Sequence, residues 1–217
     1  MKRWLVGLLL VGWLVSPAEA RKPNILFIFT DDQAPWALGA SGNPLAKTPH
    51  MDRIAREGAY LPNAYTVTPV CSPSRAALMT SRYGTEVGIT DWIHPRREAG
   101  LGLDPKFPVW PRELKKAGYH TALIGKWHLG RQDKQHPTRY GFDHFMGHRR
   151  GGWRPVNPTL EKDGTNRKFE GLTADVLADE ALAYVRANTS RPFLLCWHTR
   201  APHARWLPVA EEDMAPY

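Results

Sequence analysis

Residues 118–128 read Gly118-Tyr119-His120-Thr121-Ala122-Leu123-Ile124-Gly125-Lys126-Trp127-His128. Thr121–Trp127 is a short, nearly continuous, β-rich apolar run with chemically active residues at its end. Two other runs share that form: Asn24–Phe29 upstream and Phe193–His198 downstream. Such runs suit strands of a parallel sheet, where helices cover both faces and neither face needs polar residues.

The segments between the runs carry helical spacing. Thr48-Pro49 opens one helix, with Met51, Ile54 and Ala55 on one face and Gly58 as its stop. Pro111–Ala117 forms a shorter one, ended by Gly118. Thr173 is expected to cap a longer one, in which Leu177, Ala181, Tyr184 and Val185 follow the i, i+4, i+7, i+8 pattern. Strands alternating with helices predict an α/β layered domain. Residues from about 139 to 171, rich in Gly, Pro, Arg and aromatics, read as a long irregular excursion. Residues 210–217 show no closing element.

The first twenty residues read as an export signal. Lys2 and Arg3 precede an uncharged apolar run from Trp4 to Val15, and Ala18-Glu19-Ala20 supplies an A-x-A cleavage site. That run is shorter than the roughly 20 residues of a membrane span. Cleavage would remove Lys2, Arg3 and Glu19 from 29 basic and 21 acidic residues, leaving 27 against 20. A basic exported protein can attract anionic partners through its overall field. The bases are scattered and no nucleic-acid motif accompanies them, so nucleic acid is not an expected partner. Nor is a membrane expected after cleavage. The two cysteines, Cys71 and Cys196, form no C-x-x-C pair, which argues against a thiolate zinc site. In an exported chain a disulfide between them is the ordinary expectation.

Three stretches carry chemistry. Asp31-Asp32 follows the first strand, at the carboxyl end where α/β sheets gather ligands. Adjacent carboxylates there repel unless a cation lies between them, and a hard divalent ion such as Ca²⁺ is the simplest solution. An ordinary turn is the other reading of this pair. In Cys71-Ser72-Pro73-Ser74-Arg75, Ser72 is expected at the N-cap and Pro73 at the first helical position. Cys71 then stands at a helix mouth, where free N–H groups and the dipole favour an anion. Arg75 can return over the same face and fork onto an oxyanion. Lys126 and His128 are two apart on an extended segment and are expected to face one side.

Cys71-x-Pro73-x-Arg75, with Pro69-Val70 before it and Leu78-Met79-Thr80 after it, resembles the modification motif of the sulfatase family. Residues 118–128 resemble that family's second signature, and Ala201-Pro202-His203 resembles its strand followed by Pro-His. Gly141-Phe142-Asp143 is similar to another segment of the family. Ser81 stands where the family usually has Gly, and Ala204 where a Pro often follows the His. The resemblance spans nearly all of residues 23–217 and implies an alkaline-phosphatase-like α/β fold. Its mixed, mostly parallel sheet would be sandwiched by helices. The family's chain is about twice this long, so residues 21–217 are expected to be an incomplete, N-terminal catalytic domain, inactive alone.

The resemblance also implies a mechanism. Cys71 would be oxidised to formylglycine by a maturation enzyme, and its hydrate would attack sulfur and later release sulfate. Asp31, Asp32 and modified Cys71 would hold Ca²⁺, with Mg²⁺ as the alternative. Arg75 and Lys126 would neutralise oxyanion charge, His128 would accept a proton, and Lys126 and His203 would bind the substrate's sulfate. The expected substrate is a sulfated small molecule or glycan, and the expected location periplasmic or secreted. A phosphonate or phosphodiester hydrolase on the same scaffold stays open, as does a non-catalytic sulfated-glycan binder or relic.

Overall fold

The computed structural model describes residues 21–216, so the expected export signal lies outside the described residues. Strands β1 (Ile25–Asp31), β2 (His120–Lys126), β3 (His144–His148), β4 (Thr159–Lys162), β5 (Thr165–Lys168) and β6 (Phe193–Pro202) form one sheet. Its order is β1-β6-β2-β3-β4-β5. The first four of these run parallel, and β4 and β5 are added antiparallel at the far edge. The sheet is therefore mixed and mostly parallel, as expected.

Helices α1 (Pro49–Glu57), α2 (Cys71–Thr80), α3 (Trp110–Lys116), α4 (Thr173–Ala187) and the single turn α5 (Glu211–Met214) fill the connections. The pleat sends alternate side chains to opposite faces. Leu123, Phe145, Leu194 and Cys196 pack with Ala76 and Met79 of α2 on one face. Ala122, Ile124, Met146 and Leu195 pack with Leu177 and Ala181 of α4 on the other. Helices thus cover both faces of the sheet's centre. Among the described residues no helix is long and apolar enough to cross a membrane.

Several local expectations are corrected. β1 is an edge strand, and Leu26 and Ile28 are 51% and 42% exposed. Helix α4 packs chiefly on β6, β2 and β3, which leaves the Leu26 and Ile28 face of β1 open. The expected apolar face of α1 is also open, with Met51 and Ile54 both exposed. Thr173 is the first residue of α4 rather than its cap, and its hydroxyl donates to the Arg154 carbonyl at 2.6 Å. Cys71 and Cys196 are both free thiols. Burial pushes the Cys196 thiol up, and it lies in the sheet with Phe27 and Leu123 beside it in register.

The excursion expected over residues 139–171 holds three strands. Its hairpin turns at Asp163-Gly164, both at positive φ, 48° and 84°. An Asp-Gly pair is a favoured two-residue hairpin turn, and that signal was present in the sequence. At the chain's end, α5 stands where no element was expected; three acidic residues crowd its first turn, where the helix dipole favours them.

Candidate active site

Asp31 is the last residue of β1, and Lys126 is the last residue of β2. Strand β6 runs between them, so the lysine side chain must cross it to reach the carboxylate. The crossing is helped by Gly125, which adopts φ 114° opposite His198; a Cβ there would collide with the His198 carbonyl. Lys126 Nζ reaches Asp31 Oδ2 at 2.5 Å, and both side chains are buried.

Helix α2 begins at Cys71, with Val70 as its extended N-cap. Ser72 is therefore one residue inside the helix and not at the cap. Its hydroxyl instead accepts the Ile93 N–H at 3.1 Å, tying the helix mouth to the loop that follows. From the second turn, Arg75 reaches back into the same cluster. Its Nη2 lies 3.5 Å from Asp31 Oδ1, and its Nη1 donates to the Lys126 carbonyl at 2.9 Å. Arg75 stacks on the Phe29 ring at 5.1 Å. Burial works against its charge, while Asp31 and Cys71 favour it. Burial and the neighbouring Arg75 lower Lys126, and Asp31 and Cys71 oppose that shift. One carboxylate and the thiol at the helix mouth thus share the fields of two buried cations.

His128 is buried beside this cluster. Its φ of 57° breaks the extended backbone after Lys126, so the two side chains do not share a side through strand alternation. The Nε2 atom lies 3.2 Å from the Ile93 carbonyl. Burial and the Lys126 charge push His128 down to about 3, well below the near-neutral value that proton transfer would favour. His198 is also buried, and its Nδ1 lies 3.3 Å from Arg75 Nη1. The same Nδ1 lies 3.3 Å from the Lys126 carbonyl, so the imidazole sits against both the guanidinium and the end of β2. Burial and Arg75 hold His198 at about 3. His198 thus packs against Arg75 and the Lys126 backbone, a contact the sequence alone does not mark.

Asp32 is exposed, in the left-handed conformation at φ 63°. His203 follows β6 directly, and its Nδ1 lies 2.7 Å from the Ala204 carbonyl. No hydrogen bond or ion pair joins it to Asp31, Arg75 or Lys126 among the described residues. The described residues form no group of three or more His, Cys, Asp or Glu that could hold a metal ion. Asp31 and Asp32 suit a hard cation in kind but are too few, because Ca²⁺ takes about six to eight oxygens. The expected trio Asp31, Asp32 and Cys71 does not close on one point. Asp31 turns to its two cations and Asp32 faces outward.

The sulfatase family model matches residues 23–215. This chain belongs to the sulfatase family. It is 34% identical over 196 residues to N-acetylglucosamine-6-O-sulfatase of Bacteroides thetaiotaomicron, covering 88% of this chain and 32% of that protein. It is 34% identical to human (Homo sapiens) N-acetylgalactosamine-6-sulfatase over 208 residues, covering 84% of this chain and 40% of the relative. The chain thus spans 32% and 40% of the length of these two curated relatives. A crystal structure solved with k-i-k-neocarrahexaose superposes with a TM-score of 0.85 at 31% identity, covering 90% of this chain and 48% of that one. A structure solved with its substrate D-glucosamine-2-N,6-O-disulfate superposes at 0.75 with 33% identity, over 87% of this chain and 36% of that one.

In this sulfatase-family chain, Gly141-Phe142-Asp143 has a structural task. Gly141, at φ 98°, lies against the Arg112 backbone, which leaves no room for a Cβ. Asp143 accepts from the Thr121 N–H and hydroxyl at 3.1 and 3.0 Å and pairs with Lys115 at 2.5 Å. It anchors the start of the strand that ends in Lys126.

Proposed function

We propose that the protein hydrolyses sulfate esters, with a sulfated glycan as substrate and formylglycine made from Cys71 as nucleophile. The observation that carries this reading is the convergence of Arg75 and Lys126 on Asp31, beside a cysteine at the N-terminus of a ten-residue helix. Two buried cations and a helix mouth form a preorganised anion receptor, and such fixed charges act strongly where water is excluded. A sulfate ester carries its negative charge into that receptor, where Arg75 can fork onto two of its oxygens.

The aldehyde hydrate supplies the attacking oxygen. Lys126 and Arg75 hold the charge that gathers on the sulfuryl oxygens. His128 is uncharged at neutral pH and so free to accept a proton; the transfer becomes favourable once negative charge has entered the pocket. His203, at the mouth of β6, binds the sulfate or assists the leaving oxygen. Asp31 and Asp32 would supply carboxylate oxygens to Ca²⁺, or to Mg²⁺, which would add positive charge to the sulfate site. Residues 1–20 act as a cleaved leader, and the protein works in the periplasm or outside the cell. Its Cys71 is oxidised by a formylglycine-generating or equivalent enzyme. Residues 21–217 belong to the catalytic domain.

The test joins mass spectrometry with kinetics. An aldehyde at Cys71, with aryl sulfate turnover that a Cys71→Ala variant lacks, supports the proposal. A thiol at Cys71 in protein from a host that makes formylglycine overturns it. So does faster turnover of a matched phosphonate ester than of the sulfate.

A further inference from the structure

A cavity of about 690 Å³ opens beside the candidate active site, lined by Gly152, Trp153, Arg154, Arg200, Arg205 and Pro208 among others. Its volume falls within the range of small-molecule sites, about 300–1,000 Å³. The loop before it connects the two places. A Cβ on Gly151 would lie 2.7 Å from His128 Nε2, and one on Gly152 would lie 3.3 Å from Arg200 Nε. The Gly151-Gly152 pair therefore brings the backbone close to both the imidazole of the candidate site and the cavity wall. Arg200, on the cavity wall, is close enough to Asp31 to feel its charge.

The charge in this cavity is unbalanced. Among the described residues no carboxylate forms an ion pair with Arg154, Arg200 or Arg205. Arg200 donates one Nη2 bond to the Ala204 carbonyl, while its Nε is buried without a partner. Burial works against its charge, and the neighbouring Arg205 adds repulsion. An unpartnered buried donor costs free energy until an acceptor arrives. Three like charges around one hollow also repel until an anion enters. Trp153 adds a flat apolar wall, braced against the His148 ring at 6.0 Å. The Arg154 backbone is held by the Thr173 hydroxyl at the start of α4.

We propose that this cavity is a second anion subsite, which takes the sugar next to the one being desulfated and binds a carboxylate or sulfate on it. Arg200, Arg154 and Arg205 supply the donors, and Trp153 supplies the surface against which the ring rests. Guanidinium groups suit both oxyanions because their planar forks bind two oxygens at once. The proposal rests on the sulfatase reading for what occupies the neighbouring site, and it predicts selectivity for a substrate with two negative groups on adjacent residues.

The experiment measures binding to the Cys71→Ala protein by calorimetry and turnover by the mature, modified protein. The probes are three disaccharides that share a sulfated N-acetylhexosamine. Its partner is a neutral hexose in the first, a uronic acid in the second and a sulfated hexose in the third. An aryl sulfate serves as the substrate without a second anion. Either doubly anionic disaccharide is expected to bind about tenfold more tightly than the neutral-linked one, the scale of one charge-assisted hydrogen bond. The two anions differ in which arm gains more, so the same data name the preferred group. Arg154→Gln and Arg205→Gln should each remove most of that preference, and should lower binding of the doubly anionic sugars far more than turnover of the aryl sulfate. Equal affinity for all three disaccharides overturns the subsite, as does a preference that survives the double variant. Aryl sulfate turnover judges the sulfatase reading separately: its absence beside an intact preference rejects that reading and keeps the anion subsite.

Discussion

Lys126 Nζ stands 2.5 Å from Asp31 Oδ2 across the intervening strand β6, and Arg75 Nη2 approaches the other oxygen at 3.5 Å. All three side chains are buried. Removing one member of a buried ion pair leaves an uncompensated charge and costs about 3–5 kcal/mol. Lys126→Met should therefore destabilise the protein near the lower end of that range, because Arg75 still faces Asp31. Adding Asp31→Asn should recover part of the loss. Urea unfolding of the single and double variants checks this, and equal stability of Lys126→Met and the parent would show that the pair contributes nothing.

This pair illustrates what the sequence could and could not disclose. Asp31, Cys71 and Lys126 were legible because each sits at a strand end or a helix mouth, and Arg75 because it follows Cys71 by one turn of the helix. The bed under Arg75 was not. His198 lies 123 residues away in sequence, and nothing in the Phe193–His198 run marks its imidazole as the buried neighbour of a distant guanidinium. Cap positions misled for a related reason. Ser72 and Thr173 are both good N-cap residues, but they are the second and first residues of their helices, where the hydroxyl bonds a distant backbone group instead. The open face of β1 was equally hidden, since Leu26 and Ile28 read as core until the reach of α4 is known.

Acid should destabilise the fold through His198 and His128. Both are held at about 3, against an ordinary value of 6.5. Between those values the unfolded chain binds protons that the folded protein does not, so stability rises with pH across that window. The contribution is fully present above about 6.5 and is lost as pH falls towards 3. Each group adds a slope of up to about 1.4 kcal/mol per pH unit. Thermal unfolding from pH 7.5 to 4.5 should show a falling midpoint, and His198→Asn should flatten the fall. An identical slope in the variant would remove His198 from the explanation.

Ser81 ends α2 in the left-handed conformation, at φ 56° and ψ 31°. That region costs an L-residue roughly 1–2 kcal/mol. Glycine avoids the penalty, though it loses more backbone freedom on folding, by about 0.5–1 kcal/mol. Ser81→Gly should therefore stabilise the protein by about 0.5–1 kcal/mol. The denaturation midpoint should rise with an unchanged m-value, and a midpoint at or below the parent's would contradict the account.

Gly125 gives the sharpest test of how the sheet builds the site. It pairs in register with His198 on β6 and with Gly147 on β3. A Cβ at Gly125 would meet the His198 carbonyl, and its φ of 114° lies where side chains are strained. Gly125→Ala must therefore push β2 away from β6, and the backbone that moves carries Lys126. Overpacking alone costs about 1–3 kcal/mol, and the strained φ adds to it. The same displacement pulls the Lys126 carbonyl from Arg75 Nη1 and its ammonium from Asp31. The expected result is a loss of stability of about 3 kcal/mol or more, with aryl sulfate turnover falling further than the unfolded fraction explains. Turnover per folded molecule separates the two effects. A destabilised variant with full turnover per folded molecule would mean that the cation cluster tolerates a shifted β2, and that its close spacing is not what the chemistry needs.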